Sequence, residues 1–304
     1  MNKQATALIA LVIILAFMAY IITNATKNEE DKNETGQAER TVYSDNWSVS
    51  STLPVSDGKL LSVASSDDGN VIIGGDAFIK SLRPDLSEEW TLQTEMKITS
   101  LSVYNDTIFA STPETILLYS RTGNLINEWG PYETGAMITS VSASKKLVAF
   151  ADAGNKIVYV LRKNGELYSM IGHSESKFII PSPYFDIALY NDQLFIAHTG
   201  NRRIETWTVD GRKLSEFGEP GTAPGAFCGC CNPSHFAVVP QGFITAEKGI
   251  NRIKILGHEG NFLEFVSSSN NFTPSVPLDV ASADGKTIYA ANSMNSTLYI
   301  FTRN

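Results

Sequence analysis

The chain has 304 residues, with 24 Lys+Arg against 32 Asp+Glu and a net charge of -8. That length admits one large all-β domain or two ordinary ones, and 43% hydrophobic residues suffice for a packed core. The acidic balance, spread along the chain, argues against the basic face of a nucleic-acid binder, so no nucleic-acid partner is expected.

The first stretch is a membrane signal. Residues 5–22 (ATALIALVIILAFMAYII) carry no charge and no proline. At about 1.5 Å per residue they nearly span a hydrocarbon core of roughly 30 Å. A secretory signal has a shorter apolar region and a small-residue cleavage site; Thr23-Asn24-Ala25 is a weak candidate for one. Residues 1–23 are therefore read as an uncleaved signal anchor, a single transmembrane helix. No cysteine stands directly behind the run, so a lipoprotein anchor is excluded. An amino-terminal anchor of this kind usually exports the domain on its carboxyl-terminal side. The expected placement is the cell membrane, single-pass, with the folded domain on the extracytoplasmic (periplasmic) side. Residues 24–40 are polar and charged and cannot bury enough surface to offset their ordering entropy. They are read as a flexible linker, and the folded domain as residues 41–304.

After the anchor the helical period disappears. Short runs of Val, Ile, Leu, Phe and Tyr are cut by Gly, Asp and Asn turns. One turn recurs: Arg121-Thr-Gly123, Lys163-Asn-Gly165, Val209-Asp-Gly211 and His258-Glu-Gly260. Each is flanked by strands, ILLYS and LINEW around the first and IVYVL and LYSMI around the second. These are hairpins with glycine at or near the turn. Two further short strands precede each hairpin. Four strands per unit at roughly 40 residues is the signature of a propeller blade. Six units fit: an all-β, six-bladed β-propeller. The last unit ends at Leu298-Tyr-Ile-Phe301 and lacks a fourth strand. The segment Tyr43 to Val49 resembles the fourth strands EEW (88–90) and NEW (127–129), so the amino-terminal strand is expected to close the ring and leave no open edge. The competing reading is a β-sandwich with extra strands.

Two stretches, Phe217-Gly-Glu-Pro-Gly221 with Gly225-Ala-Phe227, Pro233 and Asn251-Arg252-Ile253-Lys254, and Thr199-Gly-Asn201-Arg-Arg-Ile204, resemble the NHL repeat. The resemblance is specific in blades 4 and 5 and loose elsewhere. It implies a six-bladed propeller that usually serves as a binding scaffold and sometimes as an enzyme. The pattern FCGCCNP…AEKG…RIK resembles a membrane-attached bacterial subset of that group. The family commonly has Asp before the Asn-Arg turn. Here His198 and Glu247-Lys248 stand there, and the family's role for that Asp is not carried over.

Chemistry-bearing residues gather around this stretch. In a four-stranded blade, the loop leading into strand one and the turn joining strands two and three lie on one face. The Cys228–Pro233 loop, the Glu247–Asn251 turn and the His198–Asn201 turn are thus expected on the same face, near the channel mouth. Cys228, Cys230 and Cys231 are the chain's three cysteines. Cys230 and Cys231 are adjacent, with Cα atoms about 3.8 Å apart, too close for an unstrained disulfide. Cys228 and Cys231 have C-x-x-C spacing, which suits a disulfide or two ligands of one metal, with His235 as a nitrogen ligand and Cu or Zn as the metals such a set accepts. Buried, inert thiols are the third reading. Glu247, Lys248, His198 and Asn232 are candidate ligand-binding residues. Glu247 and Lys248 can equally serve to shape the turn. Arg202, Arg203 and Arg252 are expected in salt bridges between blades, and Asp186 and Asp279 in hydrogen bonds to neighbouring backbone. The resemblance also brings in zinc-dependent NHL-type lyases, for which His198 and His235 supply two histidines and no third is evident.

The expected function is a membrane-anchored binding or assembly module with a protein partner on the propeller face, serving a redox or metal-handling membrane system. The alternative is a metal-dependent lyase or hydrolase at the channel mouth.

Overall fold

The structure is a computed structural model that describes residues 46–304 except 174–177, 269–270 and 274, together with residues 16, 18 and 19. The anchor and linker expectations fall outside the described residues but for those three positions. Among the described residues no helix is long and apolar enough to cross a membrane.

The described chain folds into six four-stranded antiparallel sheets. Blade 1 opens with Leu60–Ser65, blade 2 with Ser100–Tyr104, blade 3 with Ile138–Ala143, blade 4 with Ile187–Tyr190, blade 5 with His235–Val239 and blade 6 with Leu278–Ala281. These first strands contact one another around the ring, and the fourth strands form its outer edge. Blades 1 to 5 take four consecutive strands each. Blade 6 takes three, and its outer strand is the amino-terminal Trp47–Pro54, paired antiparallel with Thr297–Arg303. This strand begins at Trp47 and runs past the Tyr43–Val49 match in the sequence, with a bulge between Val49 and Ser51.

Alternation explains why the sheets stack in a circle. Successive strand residues point to opposite faces. Val71 and Ile73 of blade 1 pack against Ala291, Leu298 and Ile300 of blade 6. Ile72, between them, packs against Leu101 and Ile108 of blade 2. The second strand of blade 1 is buried throughout, because both of its faces meet a neighbour. The same division holds around the ring, with one apolar cluster between each pair of adjacent blades. Fourth strands carry many of the exposed apolar residues, among them Leu125, Ile126, Leu167 and Leu263.

The recurrent turns lock one blade to the next. Gly165 has a φ of 89°, and a Cβ there would lie 2.9 Å from the Trp129 indole nitrogen. The turn of blade 3 thus lies directly against the fourth strand of blade 2, at a backbone angle that suits glycine.

Trp47 is buried among residues of blades 5 and 6, including Ile255, Val266 and Phe301. Trp47→Ala is expected to lower unfolding free energy by about 3–5 kcal/mol, as for other buried aromatic truncations. Urea denaturation of the purified protein checks this; a loss below about 1 kcal/mol would mean that the closing strand contributes little to the ring.

Candidate functional site

The loop 228–233 and the turn 247–251 meet at one end of the ring, held from beneath by a single carboxylate. Glu247 is almost fully buried at the end of the second strand of blade 5. Its Oε1 accepts from Arg252 Nε at 2.7 Å and faces Lys254 Nζ at 2.9 Å. Its Oε2 accepts from Arg252 Nη2 at 3.2 Å and from the backbone N–H of Cys228 at 2.8 Å. Arg252 also donates to the carbonyls of Thr222 and Ala226, and Lys254 to that of Ala226 at 2.6 Å. Burial pushes the Lys254 ammonium down to about 8, against the pull of Glu247. Lys254 alternates with the apolar Ile253 and Ile255 and is itself wholly buried; the sequence pattern assigns it no role.

Asn232 latches the loop to the turn. Its side-chain amide donates to the carbonyls of Cys228 and Lys248, and its Oδ1 accepts from the Lys248 N–H at 2.9 Å. The peptide bond from Asn232 to Pro233 is cis. All three cysteines are free thiols: Cys230 exposed, Cys228 half-buried and Cys231 buried. Cys231 has a φ of 67°, a left-handed conformation that non-glycine residues seldom adopt. Burial pushes its thiol up, and the nearby Lys248 ammonium opposes that shift. Lys248 stands over the ring of Tyr184, with Nζ 4.5 Å from the centroid. Tyr184 in turn meets the His235 ring edge-on at 6.3 Å.

His235 belongs to a polar ring at the start of the six first strands: Ser62, Ser100, Ser140, Asp186, His235 and Asp279. Five of these accept a backbone N–H from the next blade. Ser62 Oγ accepts from Leu101, Ser100 Oγ from Val141, Ser140 Oγ from Ile187, Asp186 Oδ2 from Phe236 and Asp279 Oδ2 from Val63, at 2.8–3.2 Å. His235 makes no such bond. Its Nδ1 lies 3.6 Å from Asp279 Oδ1 and 3.8 Å from Asp186 Oδ2, between the carboxylates of the flanking blades. Burial raises the Asp186 carboxyl to about 6; Asp279 adds to the rise and His235 opposes it. A folded-state value above the ordinary 3.8 means that ionising Asp186 opposes folding, an effect absent at low pH that grows as pH rises through about 6.

The ring borders a central channel of about 200 Å³ between the first strands, lined by Asp186, Asp279 and serines such as Ser102 together with small and apolar residues such as Ala64, Val141 and Ala237. A cavity of about 920 Å³ opens at the opposite mouth, among the turns joining strands one and two of blades 1 to 4, and includes Asp68, Tyr104, Arg121, Lys145 and Asp192.

The expected site residues divide. Cys228, Asn232, Glu247 and Lys248 are brought together by direct hydrogen bonds. His235 is turned toward Asp186 and Asp279. His198 lies elsewhere: its Nε2 accepts from the Ile179 N–H at 2.8 Å and its Nδ1 meets Glu205 at 2.9 Å, so the proton sits on Nδ1 and both nitrogens are engaged. Glu205 is buried, yet hydrogen bonds from His198 and Lys213 outweigh burial and bring its carboxyl down to about 2. Arg203 and Arg252 pair with acids of their own blades, Glu205 and Glu247, and the expected bridges between blades are not formed by them. Asp186 and Asp279 do bond to neighbouring backbone. Among the described residues, no three His, Cys, Asp or Glu side chains are gathered to hold a metal ion. The arrangement around Cys231, with an ammonium nearby and His235 directed at carboxylates, does not fit a Cu or Zn centre.

Fold and site together define a six-bladed β-propeller with a thiol-bearing loop at one mouth. No protein-family description matches the sequence. No curated protein matches it either. Solved structures share the fold. A streptogramin B lyase is 14% identical with a TM-score of 0.59, over 85% of this chain and 98% of that one. The virginiamycin B lyase of Staphylococcus aureus is 14% identical with a TM-score of 0.58, over 85% of this chain and 100% of that one. The WD40 propeller domain of Doa1 is 14% identical with a TM-score of 0.58, over 82% of this chain and 81% of that one. These likenesses establish the propeller and leave activity open.

This geometry has two measurable outcomes. Glu247→Gln leaves two buried cations without their carboxylate and is expected to cost about 3–5 kcal/mol in urea unfolding while speeding alkylation of Cys228. Unchanged stability and alkylation would show that Glu247 does not hold the loop. His235→Gln should move the Asp186 titration above about 6 and Asp279→Asn should move it lower, read from carboxyl ¹³C shifts. A titration unmoved in both variants would show that the three side chains do not sense one another.

Proposed function

We propose that the chain is a membrane-anchored, extracytoplasmic propeller of the NHL type that acts as a binding and assembly module, engaging a protein partner through the face bearing the cysteine loop. The observation that supports this most is the way that loop is held. A buried carboxylate with two buried cations contributes little net stability compared with an apolar replacement. Here it fixes the backbone of Cys228, while Asn232 fixes the other end of the same loop. The result is a rigid, partly exposed loop on a rigid scaffold, the usual construction of a recognition site. The apolar run 5–22 supports the anchor, and the NHL-like stretches in blades 4 and 5 support the family.

Three thiols within four residues, one of them exposed, support a redox-linked partner. A metal-handling role lacks a donor set among the described residues. The enzymatic alternative has the lyases among the similar folds in its favour, and against it that the polar side chains of the channel are largely engaged in bonds to neighbouring backbone.

The test uses the full chain in its native membrane. A photo-crosslinking residue at position 230 is expected to give discrete protein adducts, one at position 167 on an outer strand to give none, and Asn232→Ala to abolish those from position 230. Equal labelling from both positions, or none from 230, would overturn the reading.

A further inference from the structure

The cleft between blades 2 and 3 holds a cavity on the face opposite the cysteine loop. Lys163 opens the turn between strands three and four of blade 3, as Arg121 does in blade 2. Both side chains reach back over the preceding blade. Arg121 finds Asp68 and Ser66 there and bonds both. Lys163 finds no acid among the described residues. Its Nζ lies over the rings of Tyr104 at 4.6 Å and Phe109 at 4.7 Å, with no hydrogen bond and no ion pair. Burial pushes the ammonium down to about 8, with no carboxylate to oppose it.

The tryptophans show the same difference. Trp90 of blade 1 donates its indole N–H to the Arg121 carbonyl at 2.8 Å. Trp129 of blade 2, in the corresponding place, has its N–H buried with no acceptor. Lys163 and Trp129 both line a cavity of about 380 Å³, together with Tyr104, Phe109, Asn127 and Lys145. No carboxylate is among the lining residues, although the chain has a net charge of -8. The cavity therefore offers two ammonium groups, carboxamides and an aromatic wall, with its cationic charge unanswered.

A volume in the range of small-molecule sites, an aromatic and aliphatic wall and a few convergent polar groups are features of a ligand pocket, and here Tyr104, Phe109, Leu118, Ile126 and Trp129 face a polar half of the lining. The ligand must bring negative charge to the lysines and a flat apolar body to the rings. We propose that this cavity binds a small planar aromatic carboxylate, its carboxylate between Lys163 and Lys145 and its ring against Tyr104, Phe109 and Trp129. This site is independent of the protein-binding face.

The probe is 2-naphthoate, titrated calorimetrically into the full chain in nanodiscs. Saturable one-to-one binding is expected, with the neutral 2-naphthamide and the Lys163→Met variant each weaker by about tenfold or more, and Lys163→Arg close to the parent. Bound naphthoate is also expected to shield Lys163 from reductive methylation, read by mass spectrometry. Absence of saturable binding at concentrations on the order of millimolar overturns the proposal. So does equal binding of the amide by the unaltered protein, a comparison that needs no variant to fold.

Discussion

A blade of this protein cannot be stable alone, because both faces of its sheet are apolar. Ile72 and Ile73 are neighbours in one strand and belong to different interblade clusters. Each blade completes two cores, and the sixth must meet the first or two faces stay wet. Closure is the condition for the other five interfaces. Pairing of Trp47–Pro54 with Thr297–Arg303 gives blade 6 its fourth strand and seats Trp47 against blade 5. An open ring would expose about as much apolar surface at its two ends as any internal joint buries, with each such side chain worth roughly 1.5–3 kcal/mol.

Within that closed frame, blades 4 and 5 solve the same local problem with opposite charges. In blade 4 the second strand ends in His198 and the third strand carries Glu205. In blade 5 the second strand ends in Glu247 and the third carries Lys254. The arginine two residues before the third-strand partner, Arg203 or Arg252, binds the acid in both. Acid and base have changed places while the hydrogen-bonded shape persists. The consequences for the loops differ. Glu247 keeps one oxygen for the Cys228 N–H and so fixes the chain that crosses from blade 4 to blade 5. Glu205 spends its second oxygen on the Trp207 indole, inside its own blade.

Much of the architecture was legible in the sequence, because turn glycines and alternating apolar runs report local geometry directly. Arg121-Thr-Gly123 and its relatives mark the hairpins, and the missing fourth strand after Phe301 pointed to the amino terminus. The site was less legible. That Asn232 and Glu247 stand together is a consequence of loop positions on one face, which the strand order already implies. His235 was drawn toward the cysteines by proximity in the chain, whereas strand direction turns it to Asp186 and Asp279, which belong to the blades on either side. Lys254 entered only as the last residue of the NHL-like run from Asn251, since a lysine alternating with Ile253 and Ile255 reads as a solvent-facing position unless both faces of the strand are known to be covered. Tyr184 lay outside any recognised motif. The environment of Lys163 depends on residues of another blade, which no local pattern records.

The outermost strand of blade 6 is also the first strand of the domain. Tension transmitted along the chain from residues before 46 therefore reaches the bonds of Asn46 to Asn304 and Glu264 and then those between Trp47–Pro54 and Thr297–Arg303, before any other strand pair. The joint that closes the ring is its first point of mechanical failure. A pull from that end would release this strand before it disturbed the Cys228–Pro233 loop, which is secured within blade 5 by Glu247 and Asn232.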